Sequence, residues 1–256
     1  MIQSAEALQT LSSGWFLEHA WLIPVVPAIA FFIIILFGKK LPMKGSEIGL
    51  LSMLSSLVLA GGTAMQWIDR VGSGAEGQFI APVVRTWNWW QIGGMKFTIG
   101  QSIDGLAVIV LVVVAFISTL VQLYSTEYLK GDRRYTHFFA ALTLFSAGML
   151  AMVVAEDTIL FLLGWEIMGL CSFMLIGHWW EDGANSRAAL KAFFTVRTGD
   201  MGLLIGVAML YFASNEWTTE HLGVSGFSIR GISAWALSGE PNSTVILVAS
   251  VALFIA

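Results

Sequence analysis

The stretch FLLGWEIMGLCSFMLIG, Phe161 to Gly177, is apolar except for a single carboxylate, Glu166. At about 1.5 Å of rise per residue, a helix of this length extends about 26 Å, which is most of the hydrocarbon core of a bilayer. A charge at the centre of such a helix costs about 2.5–3.5 kcal/mol on insertion scales. The stretch therefore predicts a transmembrane helix with a carboxyl group whose charged form is energetically unfavourable in the bilayer.

The composition of the whole chain indicates a lipid environment. Of its 256 residues, 57% are hydrophobic and 12% are charged, whereas soluble domains carry about 25% charged residues. The formal net charge of −4 is small and indicates no nucleic-acid partner. The one cysteine, Cys171, excludes an internal disulfide and any multi-cysteine metal or iron–sulfur site. We expect neither a metal ion nor a cofactor in this chain.

Apolar runs of roughly the 20 residues that cross a bilayer recur along the chain. They predict six transmembrane helices, at residues 20–38, 47–67, 104–124, 137–155, 157–178 and 190–213. A further apolar run begins near Thr244 and is too short to span. It is either interfacial or the start of a helix that the sequence breaks off, and we favour the second because no polar residue closes it. The predicted fold is an all-α integral membrane protein, a polytopic bundle of six complete helices and the start of a seventh.

Basic residues are concentrated in alternate loops, after the first, third and fifth spans. They are Lys39, Lys40, Lys44, Lys130, Arg133, Arg134 and Arg187. By the positive-inside rule these loops face the cytoplasm, so the N-terminus lies outside. The acidic turn Glu156-Asp157 and the longer segments 68–103 and 214–243 then lie outside. The first span has no basic residue before it and is therefore not a cleaved signal peptide.

The segment Val83–Gly100 has a different pattern. Two short runs rich in Val, Thr, Trp, Phe and Ile flank Gly93-Gly94, which is typical of a β-hairpin. Trp87, Trp89 and Trp90 suit a membrane–water interface. The segment is either a small β-hairpin in an outside loop or a loop that rests on the bilayer.

Glu166 is the clearest charge inside a predicted span. Two states make it tolerable: it is protonated, or it faces a basic partner or a water-filled path. A carboxyl balanced between these states can take up and release a proton. The residues favour a proton relay over a structural carboxyl that a neighbouring helix caps, and both interpretations stay open.

The sixth span carries three more charges. Lys191 shares a stripe with Thr195 and Thr198, whereas Arg197 and Asp200 are three residues apart on another face. Polar groups on two faces predict a helix that is buried among other helices. Lys191 either takes part in proton transfer or extends to the interface. Arg197 and Asp200 either form a structural ion pair or act on a neighbouring carboxyl.

His178 follows the fifth span at its predicted cytoplasmic end. Because histidine titrates near neutral pH, His178 suits proton uptake from the cytoplasm. Beside Trp179 and Trp180 it suits an interfacial anchor equally well.

Several motifs carry a family resemblance. Gly164-Trp165-Glu166 and Gly169-Leu170-Cys171-Ser172 resemble the fifth membrane helix of the antiporter-like subunits of respiratory complex I. Lys191-Ala192-Phe193 and Arg197-Thr198-Gly199-Asp200 resemble the next helix. Further fits are Ser102–Leu106, Tyr124–Tyr128 and His137–Phe139. The resemblance covers nearly the whole chain and is strongest to the subunit L (chain 5) branch of bacterial NADH–quinone oxidoreductases.

The resemblance implies roles for these residues. Glu166 matches the family's fifth-helix carboxylate, which pairs with a lysine on a broken seventh helix, and that lysine would lie beyond Ala256. Lys191 matches a basic position of the sixth helix. Arg197 and Asp200 match positions linked to the contact with the adjacent pumping subunit.

The resemblance also implies a domain organisation and a location. Residues 1–103 would hold the first two helices and the outside loop, and residues 104–256 the antiporter-like translocation domain, cut off at its C-terminal end. The chain would be a multi-pass protein of the cell's inner (cytoplasmic) membrane, in preference to the mitochondrial inner membrane.

The implied function is that of a proton-translocating subunit of NADH:quinone oxidoreductase, part of a translocase enzyme. No redox centre is expected in this chain; flavin and iron–sulfur clusters would belong to partner subunits. The implied partners are other complex I membrane subunits, especially an adjacent antiporter-like subunit, and the lipid bilayer.

Two alternatives stay open. The chain is the large subunit of a multisubunit Na⁺/H⁺ antiporter or a subunit of a membrane-bound hydrogenase, or it is a non-transporting membrane scaffold from a truncated copy. The run Gly169–Ser172 favours complex I, because the antiporters are expected to have more Ser and Thr there.

Overall fold

The computed structural model describes residues 14–74, 80–93 and 95–255. The helices in these ranges are α1 (Trp15–Glu18), α2 (Leu22–Phe37), α3 (Ser46–Gly72), α4 (Gly105–Tyr128), α5 (Tyr135–Val154), α6 (Thr158–Ile176), α7 (Gly183–Leu222), α8 (Ile229–Leu237) and α9 (Ser243–Ile255). The strands are β1 (Val83–Ile92) and β2 (Met95–Ile103), which pair as a hairpin.

Six helices in the described ranges, α2 to α7, are long and apolar enough to cross a membrane. They lie where the apolar runs predicted them. The last run forms α9, an apolar helix of 13 residues, and the hairpin turns at Gly93, whose φ of 55° suits a glycine. The predictions of a polytopic helical membrane protein and of the hairpin are therefore confirmed.

Helix α7 is longer than predicted. It begins after Asp182, whose carboxylate caps the amide of Ala184, and it ends at Gly223, which has a φ of 67°. Its 40 residues extend about 60 Å, roughly twice the hydrocarbon thickness. Hydropathy detects only the apolar part of such a helix, and the polar ends at 183–189 and 214–222 were missed for that reason.

One compact unit contains Met1–Arg85, Gln101–Val154 and Gly164–Cys171. In it, α2 packs along α5 and α3, and α4 packs on α3 and α5. Its buried apolar core includes Leu17, Ile23, Met53, Trp67, Leu111 and Leu150. Gln101 ties β2 to the first helices, because its side-chain amide donates to Leu17 O at 2.8 Å and accepts from Trp21 N at 2.6 Å.

The other compact unit contains Thr86–Gly100, Ala155–Leu163 and Ser172–Ala256. In it, α7 packs against α8 and α9. Small residues allow the close approach to α9, since a Cβ added to Gly202 would lie 2.6 Å from Ala252 O. This division by packing differs from the boundary at residue 103, which separates segments by expected role and stays a prediction.

Candidate functional site

Glu166 lies near the middle of α6. The helix starts sharply because the side chain of Asp157 accepts a hydrogen bond from Leu160 N at 2.8 Å. Two residues before Glu166, Gly164 faces Gly148 of α5, and a Cβ added to Gly164 would lie 2.7 Å from Gly148 O. Contacts between small residues let membrane helices approach closely. This one positions the turn of α6 that carries the carboxyl.

Helix α6 is nevertheless less enclosed than α5. Glu166 is half-buried, and 11% of the most apolar 18-residue window of α6 is buried. Leu163 and Leu170 on the same helix are exposed, whereas Cys171 is fully buried. The residues next to Glu166 along the helix, 165 and 167–169, are half-buried like Glu166 itself.

Lys191 is exposed on α7. The neighbouring polar stripe is also exposed: the hydroxyls of Thr195 and Thr198 donate back to Lys191 O and Phe194 O, each at 2.8 Å. Only 22% of the most apolar window of α7 is buried. Helices α8 and α9 cover one side of α7 and leave the stripe with Lys191 exposed. Within the described chain, α7 is therefore not buried among other helices as predicted.

Arg197 and Asp200 form an ion pair on α7. Arg197 Nη1 lies 3.3 Å from Asp200 Oδ2, and the guanidinium lies 4.9 Å from the ring centre of Phe193. Asp200 is 2% exposed, whereas about a third of the Arg197 side chain is exposed. The structure thus brings together two of the predicted site residues, in the spacing that their separation of three residues favours.

His178 is buried directly after Gly177, the residue that ends α6. Its ring meets Trp179 edge-on at 5.4 Å between centroids. Trp179 and Trp180 are both exposed, whereas His178 is buried. This position leaves proton uptake and anchoring as the two predictions for His178.

The five predicted residues are divided between the two compact units. Glu166 belongs to the compact unit built on α2 to α5, whereas Lys191, Arg197, Asp200 and His178 belong to the other unit. The part of the chain that the structure describes holds no group of three His, Cys, Asp or Glu side chains suited to a metal ion. The roles predicted for these residues stay predictions.

Sequence reasoning missed the burial of the acidic turn. Glu156 is 2% exposed and Asp157 is 0% exposed, although both were predicted only as part of an outside turn. Burial raises the pKa of both carboxyls. The turn between the two membrane helices has only three residues, which leaves little room for solvated side chains. The shortness of the turn could therefore have indicated that the two carboxyls are buried.

This bundle of apolar helices defines a polytopic membrane protein, and comparison with known proteins gives its family. Two family models match the chain over well more than half of its length. One is described as NADH-Ubiquinone oxidoreductase (complex I), chain 5 N-terminus, and matches residues 89–139. The other is described as NADH:quinone oxidoreductase/Mrp antiporter, TM, and matches residues 155–256, which include Glu166, Lys191 and Asp200. The chain belongs to this antiporter-like family.

Curated relatives carry similar names. F(420)H(2) dehydrogenase subunit L of Methanosarcina mazei is 34% identical over 209 residues, which are 82% of this chain and 28% of that protein. NAD(P)H-quinone oxidoreductase chain 5 of Synechocystis sp. is 32% identical over 87% of this chain and 32% of its own length. The chloroplastic subunit 5 of Zygnema circumcarinatum is 31% identical over 93% of this chain and 33% of its own length. The chain spans about a third of the length of these relatives.

A solved structure has the same fold. It is a chain of the membrane-bound sulfane sulfur reductase, an archaeal respiratory membrane complex, with a TM-score of 0.73. The match covers 93% of this chain and 44% of that chain, at 17% sequence identity. At this identity the likeness shows the fold alone.

Proposed function

We propose that this chain acts in a proton-translocating membrane subunit of a respiratory NADH:quinone oxidoreductase complex. The observation that carries the proposal is the position of Glu166, half-buried in the middle of an apolar span and held there by the Gly164–Gly148 contact. A charged side chain inside a bilayer costs free energy, so a carboxyl at this position is expected to have a function. Family membership adds weight, because both matching models describe quinone oxidoreductase subunits.

The proposed mechanism is electrostatic. A nearby cation stabilises the ionised form of Glu166, and withdrawal of that cation favours the protonated form. A change in the adjacent subunit would alternate these states, so that Glu166 takes a proton from the cytoplasmic side and releases it outside. Lys191 would relay protons on α7.

The chain would contribute protein charges rather than redox chemistry. No redox centre is assigned to it, and the flavin and iron–sulfur clusters would lie in partner subunits. His178 would serve proton uptake from the cytoplasm. The complex would thus be a translocase in which this subunit moves protons while other subunits transfer electrons.

Replacement of Glu166 by Gln tests this function in the intact complex in membrane vesicles. The amide keeps the shape and cannot ionise, so assembly should persist while the number of protons moved per electron falls. We expect the initial rate of proton transport to drop about tenfold or more. The measurement is dye-reported acidification of inverted vesicles at a matched rate of NADH oxidation.

Glu127→Gln is the control, because Glu127 is an exposed carboxylate whose partner is the exposed Lys130. This variant should pump like the wild type. Wild-type pumping by Glu166→Gln would refute the assigned role.

The second family model also describes Mrp antiporters, and this supports one alternative, the large subunit of a Na⁺/H⁺ antiporter. An antiporter would exchange protons for sodium without NADH. Sodium-driven proton movement in vesicles without NADH, lost in Glu166→Gln, would favour this alternative over the complex I role.

The Arg197–Asp200 pair is proposed to lie at the contact with an adjacent antiporter-like subunit. Asp200→Asn would leave the partly buried guanidinium without its carboxylate, at a cost of about 1–3 kcal/mol. We expect less complex on native gels and weaker pumping in what assembles. The double variant Arg197→Gln with Asp200→Asn should recover stability but not pumping. A fully assembled and fully active Asp200→Asn complex would exclude this role.

The proposed orientation is based on the basic loops, which would face the cytoplasm. The N-terminus would then lie on the outer side of the cell's inner membrane. In a Cys171→Ser background, a cysteine placed at Lys130 should react with a membrane-impermeant maleimide from the cytoplasm only. A cysteine placed at Ser238, after α8, should react from the outside only. The reverse pattern would invert the topology.

A further inference from the structure

The turn between α5 and α6 is joined to two other segments of its compact unit. Glu156 N donates to Gly100 O at the end of β2, at 3.2 Å. Thr158 N donates to Phe227 O and Ile229 N donates to Glu156 O, each at 2.9 Å. We call Gly100, Glu156, Asp157 and Ser228 the acidic junction.

The two carboxyls of the acidic junction are bonded differently. Asp157 accepts from Leu160 N at 2.8 Å through one oxygen and from Gly100 N at 3.1 Å through the other. Amide donors to both oxygens favour the ionised form. Glu156 accepts only the Ser228 hydroxyl, at 2.5 Å through Oε1. Its Oε2 is buried and has no hydrogen-bond partner among the described residues.

The electrostatics of Glu156 favour the neutral acid. Burial is the largest cause that raises its pKa, and the adjacent charge of Asp157 raises it further. The Ser228 hydrogen bond and the positive charge of Arg230 lower the pKa without reversing the shift. Burial also raises the pKa of Asp157, and the hydrogen bonds from the amides of Leu160 and Gly100 oppose that rise. Lys96 of β2 and Arg230 of α8 are the cations on the neighbouring segments, and both side chains are exposed.

We propose that Glu156 is a second proton-binding site of this chain, and that the acidic junction is closed while Glu156 carries its proton. A buried carboxylate oxygen without a donor is costly, and a second negative charge beside Asp157 adds to that cost. When Glu156 ionises, we expect the segment that carries Ser228 to move away first, because only an isolated β-bridge holds Ser228 to Asp157. On the proposed function, this site lies on the side where protons leave and would hold the proton before its release.

The sign of the pH dependence follows from linkage. Because the pKa of Glu156 is raised in the closed junction, closure is fully stable below the ordinary pKa of a glutamate. It weakens as the pH rises through the raised value. With one proton involved, the opening equilibrium should increase by up to about tenfold per pH unit between the ordinary and the raised pKa, and it should level off above the raised pKa.

Hydrogen exchange and infrared spectroscopy of the intact complex in nanodiscs test the proposal. The amides of Thr158 and Ile229 report closure, and their opening, corrected for intrinsic exchange, should increase with pH in the wild type. Glu156→Gln cannot ionise at this position, so the pH dependence of its opening should be clearly weaker than in the wild type, with only the contribution of Asp157 left, and one protonated-carboxyl band should disappear. Glu220→Gln, at an exposed position on α7, should behave like the wild type.

A second variant protects the test against misfolding. Arg230 is exposed, so Arg230→Gln should fold, and loss of its charge should move the opening midpoint to higher pH. Opening that is independent of pH in the wild type, or equally pH-dependent in Glu156→Gln, would refute the proposal. Neither readout measures pumping, so failure here is distinct from failure of the Glu166 role.

Discussion

Helices α5 and α6 follow each other in the chain and are about equally apolar. Their packing differs: more than half of the residues of α5 are buried, whereas most residues of α6 are half-buried. Apolar character takes both helices into the bilayer. It does not determine which of them the chain itself covers.

The difference follows from side-chain size and from the placement of polar groups. Helix α5 buries Thr143 and Ser146, whose hydroxyls donate back to carbonyls of their own helix and therefore tolerate enclosure. Helix α6 approaches α5 at Gly164 and exposes Leu163 and Leu170. On the proposed function, the open surface of α6 is where the family's lysine-bearing helix would meet Glu166.

The largest effect is expected where the two helices touch. Gly164→Leu would place a side chain against the backbone of α5, which cannot yield as a flexible side chain can. Overpacking costs about 1–3 kcal/mol and occasionally more, and we expect the upper end or beyond. The amount of folded protein in the membrane should fall sharply, as measured by size-exclusion chromatography of solubilised membranes.

Gly61→Leu is the matched control for that variant, since nothing lies within 4 Å of a Cβ added to Gly61 on α3. It should accumulate nearly normally. Equal losses in both variants would mean that the Gly164 contact does not position α6.

A smaller effect is expected from leucine truncation on each helix. Leu150 of α5 is 0% exposed and Leu170 of α6 is 46% exposed. Leu150→Ala should cost about 2–5 kcal/mol because it opens a cavity, whereas Leu170→Ala should cost less than about 1 kcal/mol. Thermal unfolding in nanodiscs measures both. A Leu170→Ala variant as unstable as Leu150→Ala would show that α6 is covered in the assembled protein.

The smallest effect concerns helix starts. Asp157 caps α6 and also accepts from Gly100 N, whereas Asp104 caps α4 through Ala107 N alone, at 2.7 Å. Asp104→Ala should cost about 1 kcal/mol, and Asp157→Ala about 1 kcal/mol more because a second buried amide loses its acceptor. The same unfolding measurement decides this, and equal costs would show that the Gly100 bond adds no stability.

Some local features could be predicted because short-range chemistry decides them. The six spans follow from apolar length, and the turn at Gly93 follows from glycine's freedom. The Arg197–Asp200 pair follows from a spacing of three residues on a helix. These interactions join residues that are close in sequence.

The burial of Glu156 could not be predicted in the same way. Its neighbours Gly100 and Ser228 are 56 and 72 residues away along the chain, so no local pattern reveals them. The open stripe around Lys191 was likewise missed, because polar residues on two faces show only that a helix needs partners.

The sequence by itself determined that this chain enters a membrane, where its helices run, and that Glu166 is a costly charge inside one of them. Hydropathy and helical periodicity are properties of a segment alone, so they need no knowledge of the fold. Only the tertiary structure decided that α5 is enclosed and α6 is not, and that the acidic turn is buried. Burial is a property of pairs of segments, and it depends on which small residues let two backbones meet.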